Sequence, residues 1–454
     1  MKKLMIVGGA VALGIGLLGV AGYRVLKQYV EPAASRQAAV SAAAPAPAGP
    51  PPPAETRPAG DADRGFIYGR VTTVDGATYQ GRLRFGEDQE AFWGDYFNGV
   101  KKENAWMAYV APEELPKRTE SIEVFGWKLG EHTSKLDGTR QLTAHFGEVS
   151  KIESEGQDVR VTLKSGSVVA VNRFDASDFD DGLRVWDPRG VTDLDSTRIR
   201  SIELLPTMAV PDPPVRLYGT VRSRQGDFTG FVEWDREECI GSDELDGRDP
   251  QGVEQHVRFD TIRSIEGKSR GSSQVTLTDG RELTLSGTND VNGDNRGIVV
   301  DDPRYGRVVV SWWSFERADF TPNGSGPGYD DYAPGRKLSG TVTTRDGRKL
   351  SGPIVYDLDE SESTETLDGS YEGVDYTLPF GTIASVEPST DHPTRVKLKN
   401  GVELRLEWDG DVGEQNAGML VFVEGKAKPS YVPWADVVRI EFDGGEPIPR
   451  PVVR

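Results

Sequence analysis

Cysteine is almost missing from this chain: Cys239 stands alone among 454 residues. A single thiol can form neither an intrachain disulfide nor a cysteine-based zinc site. With Glu237 and Glu238 beside it, nothing favours the thiolate, so Cys239 reads as a small apolar filler. Histidine is scarce too, and His132, His145, His256 and His392 show no metal-ligand spacing. Cations are in deficit, with 53 Lys and Arg against 72 Asp and Glu, a net charge of −19. That sign repels phosphate backbones and argues against nucleic acid as a partner. Helical periodicity is missing as well. Apolar residues alternate with polar ones, and turn signals recur about every ten residues, the pattern of short antiparallel strands.

Catalytic motifs are also lacking. Gly267-Lys-Ser269-Arg-Gly271 has the letters of a nucleophile elbow. That motif works on a sharp turn from strand into helix, and here strand signals lie on both sides. It reads as a connector. No phosphate-binding loop or dinucleotide fingerprint appears, so no catalytic residue and no cofactor is expected.

What is present begins with a long apolar run. Lys2 and Lys3 precede nineteen residues, Leu4 to Gly22, without a charge. At about 1.5 Å per residue this run reaches about 28 Å, close to a bilayer's hydrocarbon thickness. Tyr23, Arg24, Lys27 and Tyr29 supply the interfacial belt of an uncleaved anchor. A cleaved signal ending near Val20-Ala21-Gly22 is the alternative. Residues 1–30 are therefore expected to be a membrane anchor or signal. Residues 31–64, rich in Pro and Ala and including Pro50 to Pro53, are expected to be a disordered stalk. Either reading puts the rest of the chain outside the cytoplasm. A bacterial envelope protein with one inner-membrane span and a periplasmic body is expected, or a secreted or periplasmic one after cleavage.

The most informative signal is internal similarity. Ile67-Tyr-Gly-Arg-Val-Thr-Thr-Val-Asp-Gly76, Leu217-Tyr-Gly-Thr-Val-Arg-Ser-Arg-Gln-Gly226 and Leu338-Ser-Gly-Thr-Val-Thr-Thr-Arg-Asp-Gly347 share one opening, each followed by a further glycine at 81, 230 or 352. Asp-Gly between two β-rich runs is a strong hairpin signal. Second hairpin turns follow at Gly166, Gly280 and Gly401. The first-to-second spacing is 54 residues in copies two and three (Gly226 to Gly280, Gly347 to Gly401) and 90 in copy one (Gly76 to Gly166). A pentapeptide, Ile262-Arg-Ser-Ile265-Glu266 in its clearest form, recurs before each second turn and at the end of the copies. Three tandem copies of two units each are expected: 65–205 with an aromatic insertion at 100–140, 206–323, and 324–454 with a short tail.

A glycine-marked strand, a bent hairpin and the compact ending Phe259-Asp-Thr-Ile262-Arg-Ser-Ile265-Glu266 make each unit resemble the small five-stranded barrels of the Sm-like and SH3-like superfold. The resemblance implies an all-β chain of small antiparallel barrel-like units. A six-bladed β-propeller is the alternative. Sm-like proteins bind RNA, but their Asp/Asn base-contact signature has no counterpart after the first hairpin, so the fold is carried over and the activity is not.

Two features suggest binding. Asp290-Val-Asn292-Gly-Asp294 places oxygen ligands at alternate positions, as a calcium loop would. Asn295 replaces the turn glycine, however, and Asp/Asn-rich loops arise for turn reasons alone. The aromatics of the insertion, Trp106, Tyr109 and Trp127, could form a partner surface. The functional expectation is a non-catalytic membrane-anchored or exported β-repeat protein, a binding or scaffold module for a protein or polymer of the envelope. A carboxylate-dependent exported hydrolase and an Sm-like RNA binder are the alternatives.

Overall fold

The computed structural model describes residues 60–444, except 87–88, 95, 116, 125–126, 136–139, 210–212, 270, 390–392 and 408–409, with the backbone alone for 117–124, 127–135 and 269. The expected anchor or signal segment and most of the stalk lie outside the described residues. Among those described, no helix is long and apolar enough to cross a membrane. Gly60–Arg64, the end of the expected stalk, forms a turn fastened to the main body: Ser325 N–H donates to the Asp61 carbonyl at 2.8 Å and Arg64 pairs with Asp331.

The chain is nearly all β. Sheets of ten, twelve and eight antiparallel strands hold the three copies, and none closes on itself. Each copy has the same five elements. An opening hairpin comes first (Tyr68–Thr73 with Thr78–Phe85, Tyr218–Ser223 with Gly226–Glu233, Ser339–Thr344 with Lys349–Val355). A second hairpin follows (Tyr96–Lys101 with Arg140–His145, Glu244–Arg248 with Glu254–Arg258, Thr366–Tyr371 with Val374–Pro379). A three-stranded meander comes next, starting at Val149, Ile262 or Ile383. A third hairpin (Leu183–Asp187 with Gly190–Leu194, Ile298–Asp302 with Gly306–Val310, Met419–Val421 with Ser430–Val432) leads to a closing strand (Ile199–Leu204, Phe315–Phe320, Val437–Phe442).

In space the closing strand lies between the opening hairpin and the meander, so the two chain ends of each copy meet in mid-sheet. The barrel-like units expected in each copy do not close: one open sheet runs through both halves of a copy, and among the described residues no four-stranded propeller blade forms.

The sequence signals have local causes. Gly69, Gly219 and Gly340 pair directly across the opening hairpin with Gly81, Gly230 and Gly352. A Cβ on Gly230 would lie 1.8 Å from the Asp301 carbonyl oxygen, and one on Gly81 equally close to that of Trp186. A neighbouring strand therefore passes too near for any side chain. The pentapeptide has a different cause. Ile262 and Ile265 are both buried, although strand alternation would place residues three apart on opposite faces. A β-bulge between Ile262 and Ser264 absorbs the extra residue, and the register shifts at the matching place in all three meanders and closing strands.

The copies share cores and, in one place, a sheet. Gly306–Val310 of copy two pairs with Val374–Pro379 of copy three, which extends copy two's ten strands to twelve. One hydrophobic core runs through both copies, from Leu217 to Phe442. Copy one has its own core, and Trp93 packs on Phe231 of copy two with ring centroids 4.4 Å apart. The 100–140 insertion lies between the two strands of copy one's second hairpin. It holds a 3-10 turn, Ala105–Tyr109, and a separate hairpin, Lys117–Val124 with Trp127–Lys135.

Candidate functional site

Copies two and three contain the same short turn after the opening hairpin: Trp234-Asp235-Arg236-Glu237-Glu238 and Tyr356-Asp357-Leu358-Asp359-Glu360. Asp235 and Arg236 have φ of 53° and 59°, and Asp357 and Leu358 have 46° and 54°. Two left-handed residues in a row cost energy except in glycine, so something must hold them. In both copies the Asp side chain does. Asp235 accepts the Arg296 backbone N–H, and Asp357 accepts that of Ala417 at the matching position. The aromatic that precedes each turn is fully buried. Trp234 Nε1 donates to the Asp290 carbonyl at 2.9 Å, and Tyr356 Oη to that of Asp411 at 2.6 Å.

The copies differ in the counter-charge. In copy two Arg296 reaches both Asp235, at 2.8 Å, and Glu237. Copy three has Ala417 there, and its turn takes cations from copy one instead. Lys101 Nζ lies 2.9 Å from Asp359 and 2.8 Å from Glu365, and Arg140 Nη2 donates to the Asp357 carbonyl at 3.0 Å. Around this seam is a cavity of about 240 Å³. Among the described residues that line it, Lys101 and Arg140 are the only cations, against Asp357, Asp359, Glu360, Glu365, Asp368 and Asp411. An adjoining cavity of about 350 Å³ shares Thr143 and Asp368 and adds Tyr96, Arg307 of copy two, and Tyr376.

Burial sets the protonation here. It pushes Asp357 up to about 7, against the Arg140 charge, and raises Glu360 and Asp411 well above the carboxylate range with help from neighbouring carboxylates. It opposes the charge on Lys101, but Glu365, Asp359 and Glu360 outweigh it and hold the ammonium protonated above its usual value. The cleft thus holds carboxyl groups that burial shifts toward their neutral form, beside Lys101 paired with Asp359 and Glu365.

The residues singled out from sequence lie elsewhere. Asp290 Oδ2 accepts the Asp246 N–H at 2.6 Å, Asn292 Oδ1 accepts the Asp294 N–H at 2.7 Å, and Asn295 Oδ1 that of Gly297 at 3.0 Å. Asn292 and Asn295 thus close turns within the loop, while Asp290 fastens the loop to the second hairpin. Asp411 and Asp178 do the same for Asp368 and Asn98. Trp106 and Tyr109 do not stand free. Both meet Phe422 of copy three edge-on, near Val355, Leu358 and Leu420, although Tyr109 remains half exposed. The side chain of Trp127 lies outside the described residues. Ser269 ends strand Ile262–Ser269, which returns as Ser272–Leu277 with no helix between. Cys239 is buried.

Sequence reading missed Lys101, Arg140, Asp357 and Asp359. The available signal was Ala417 standing where Arg296 stands in loops that share Asp290/Asp411, Val291/Val412, Asn295/Asn416 and Gly297/Gly418, which leaves copy three's acidic turn without a local cation. Comparison with protein-family models, curated proteins and solved structures finds no match for this chain.

Proposed function

We propose that this chain is a non-catalytic binding and scaffold protein of the cell envelope, held at the membrane by its N-terminal segment or released by cleavage of that segment. Its three copies serve as one rigid platform for a protein or polymer partner. The observation that carries this reading is the exchange of counter-charge between copies. The acidic turn of copy three is completed by Lys101 and Arg140 of copy one, so the Asp359 and Glu365 carboxylates of the cleft are engaged in joining copies. Catalytic carboxylates, by contrast, must meet a substrate at a defined spacing. The sheet shared by copies two and three supports the same reading, since it removes a hinge that a flexible string of modules would keep.

The test is saturable binding of the full chain to envelope fractions, with Asp357→Asn expected to bind like the wild type. Turnover of a glycan or peptide polymer that Asp357→Asn abolishes, in a variant with wild-type melting behaviour, would replace this reading with the hydrolase. Retention on RNA at physiological salt would restore the Sm-like one.

A further inference from the structure

The second hairpin occurs three times, and its equivalent face is covered twice. Asn98 pairs across the hairpin with Thr143 in copy one, and Asp368 with Thr377 in copy three. All four residues line the cavity between copies. The equivalent pair in copy two is Asp246 and His256, and there the face is open. The side chains of Glu244, Asp246 and His256 are 53%, 49% and 56% exposed. Glu244 occupies the position held by Tyr96 in copy one and Thr366 in copy three. Copy two therefore carries Glu, Asp and His where its siblings carry Tyr, Asn and Thr or Thr, Asp and Thr. The fold does not ask for this. The hairpin is secured by the buried Leu245, by Gly247, which leaves room for Leu285, and by the Asp246 N–H bond to Asp290.

His256 Nδ1 lies 2.6 Å from Asp246 Oδ1 and 3.9 Å from Glu244 Oε2. One donor atom from each of the three lies within 4.8 Å of the others, and no other such group of His, Cys, Asp and Glu occurs among the described residues. Zinc binds these donors at about 2.0–2.2 Å in a tetrahedral shell, which places neighbouring donors about 3.3 Å apart. The two measured separations straddle that value, and because all three side chains are about half exposed, the adjustment an ion requires falls on their side-chain torsions. One imidazole nitrogen with two carboxylate oxygens suits a borderline divalent cation, with remaining positions left to solvent or to a partner's ligand.

We propose that Glu244, Asp246 and His256 form a divalent-cation site of the zinc class on the exposed hairpin of copy two. The proposal does not depend on the scaffold reading, and neither falls with the other. Equilibrium dialysis of the full chain against zinc tests it. One equivalent should bind, and His256→Gln and Glu244→Gln should each weaken binding by at least about tenfold, since loss of outer-shell support alone costs 10–100-fold. A His132→Asn/His392→Asn variant should bind like the wild type. Glu244→Gln separates the proposal from a plain His256–Asp246 ion pair, which has no need of Glu244. Without metal, both single variants should melt as the wild type does, because the side chains are half exposed. Zinc binding that is absent in the wild type, or unchanged in Glu244→Gln or His256→Gln, overturns the site.

Discussion

The acidic turns of copies two and three have one backbone and two electrostatic solutions. Asp235 is neutralised at home by Arg296, whereas Asp357 faces Ala417 and the cations of its turn come from copy one, Lys101 on Asp359 and Arg140 on the Asp357 carbonyl. The first turn would be complete in an isolated copy, and the second would not. A repeat can therefore be bound into an assembly by deleting a local cation and supplying one across the seam, with no change of fold.

The largest effect should come from what the two turns share. Trp234→Ala and Tyr356→Ala each remove a fully buried ring and its hydrogen bond from beneath the turn. A loss of about 3–5 kcal/mol is expected for each, read as a lower midpoint in denaturant unfolding. If one ring proves dispensable, the turns are less alike than their backbones. The difference between them is probed by Lys101→Met, which strands the buried Asp359 and the partly buried Glu365. Removing one partner of a buried ion pair costs about 3 kcal/mol or more. Arg296→Met also leaves a buried carboxylate, but Asp235 keeps the Asn289 amide and the backbone N–H of residue 296, so about 1–2 kcal/mol is expected. Equal losses would mean that the seam carries no special share of stability.

Those residues also mark what could be read from the chain beforehand. The all-β class was legible because alternation and glycine turns are local signals, and the glycine pairs report a close strand approach that no side chain survives. The open sheet was not. Joining both ends of a copy in mid-sheet depends on pairing between Tyr68–Thr73 and Ile199–Leu204, and long-range pairing leaves no local trace. Trp106 was noticed as an aromatic in an insertion, but its partner Phe422 lies in another copy. The charged seam needed Ala417 to be read as a missing arginine.

A smaller effect should follow from pH. The folded chain keeps a proton on Asp357 up to about 7, against an ordinary value of 3.8, because of burial. Burial likewise pushes Asp290 and Asp301 up to about 6 and Glu238 up to about 9. Between pH 4 and 7 the folded state thus binds more protons than the unfolded one, so stability falls as pH rises through that window. The melting temperature should be a few degrees higher at pH 5.5 than at pH 8, and Asp357→Asn should remove part of that slope. A rise in the opposite direction would mean that the cleft carboxylates are ionised.

The smallest energetic effect concerns the edges that did not fuse. Val309 of copy two lies opposite Asp375 of copy three in the shared sheet. The same register between a copy-one edge, Gly190–Leu194, and a copy-two edge, Glu254–Arg258, would set Asp193 opposite Glu254. Like charges directly opposed disfavour pairing, and charged edges discourage sheets from joining. Each carboxylate also has an arginine in its own hairpin, Arg184 at 2.6 Å and Arg248 at 2.9 Å, which softens the repulsion. Asp193→Thr/Glu254→Thr should therefore change monomer stability by no more than about 0.5 kcal/mol. Light scattering should then show the double variant growing with concentration while the wild type stays at one mass. If both stay alike, the fusion of copies two and three owes its selectivity to Tyr376 and the valines of Gly306–Val310 rather than to charge at the other edges.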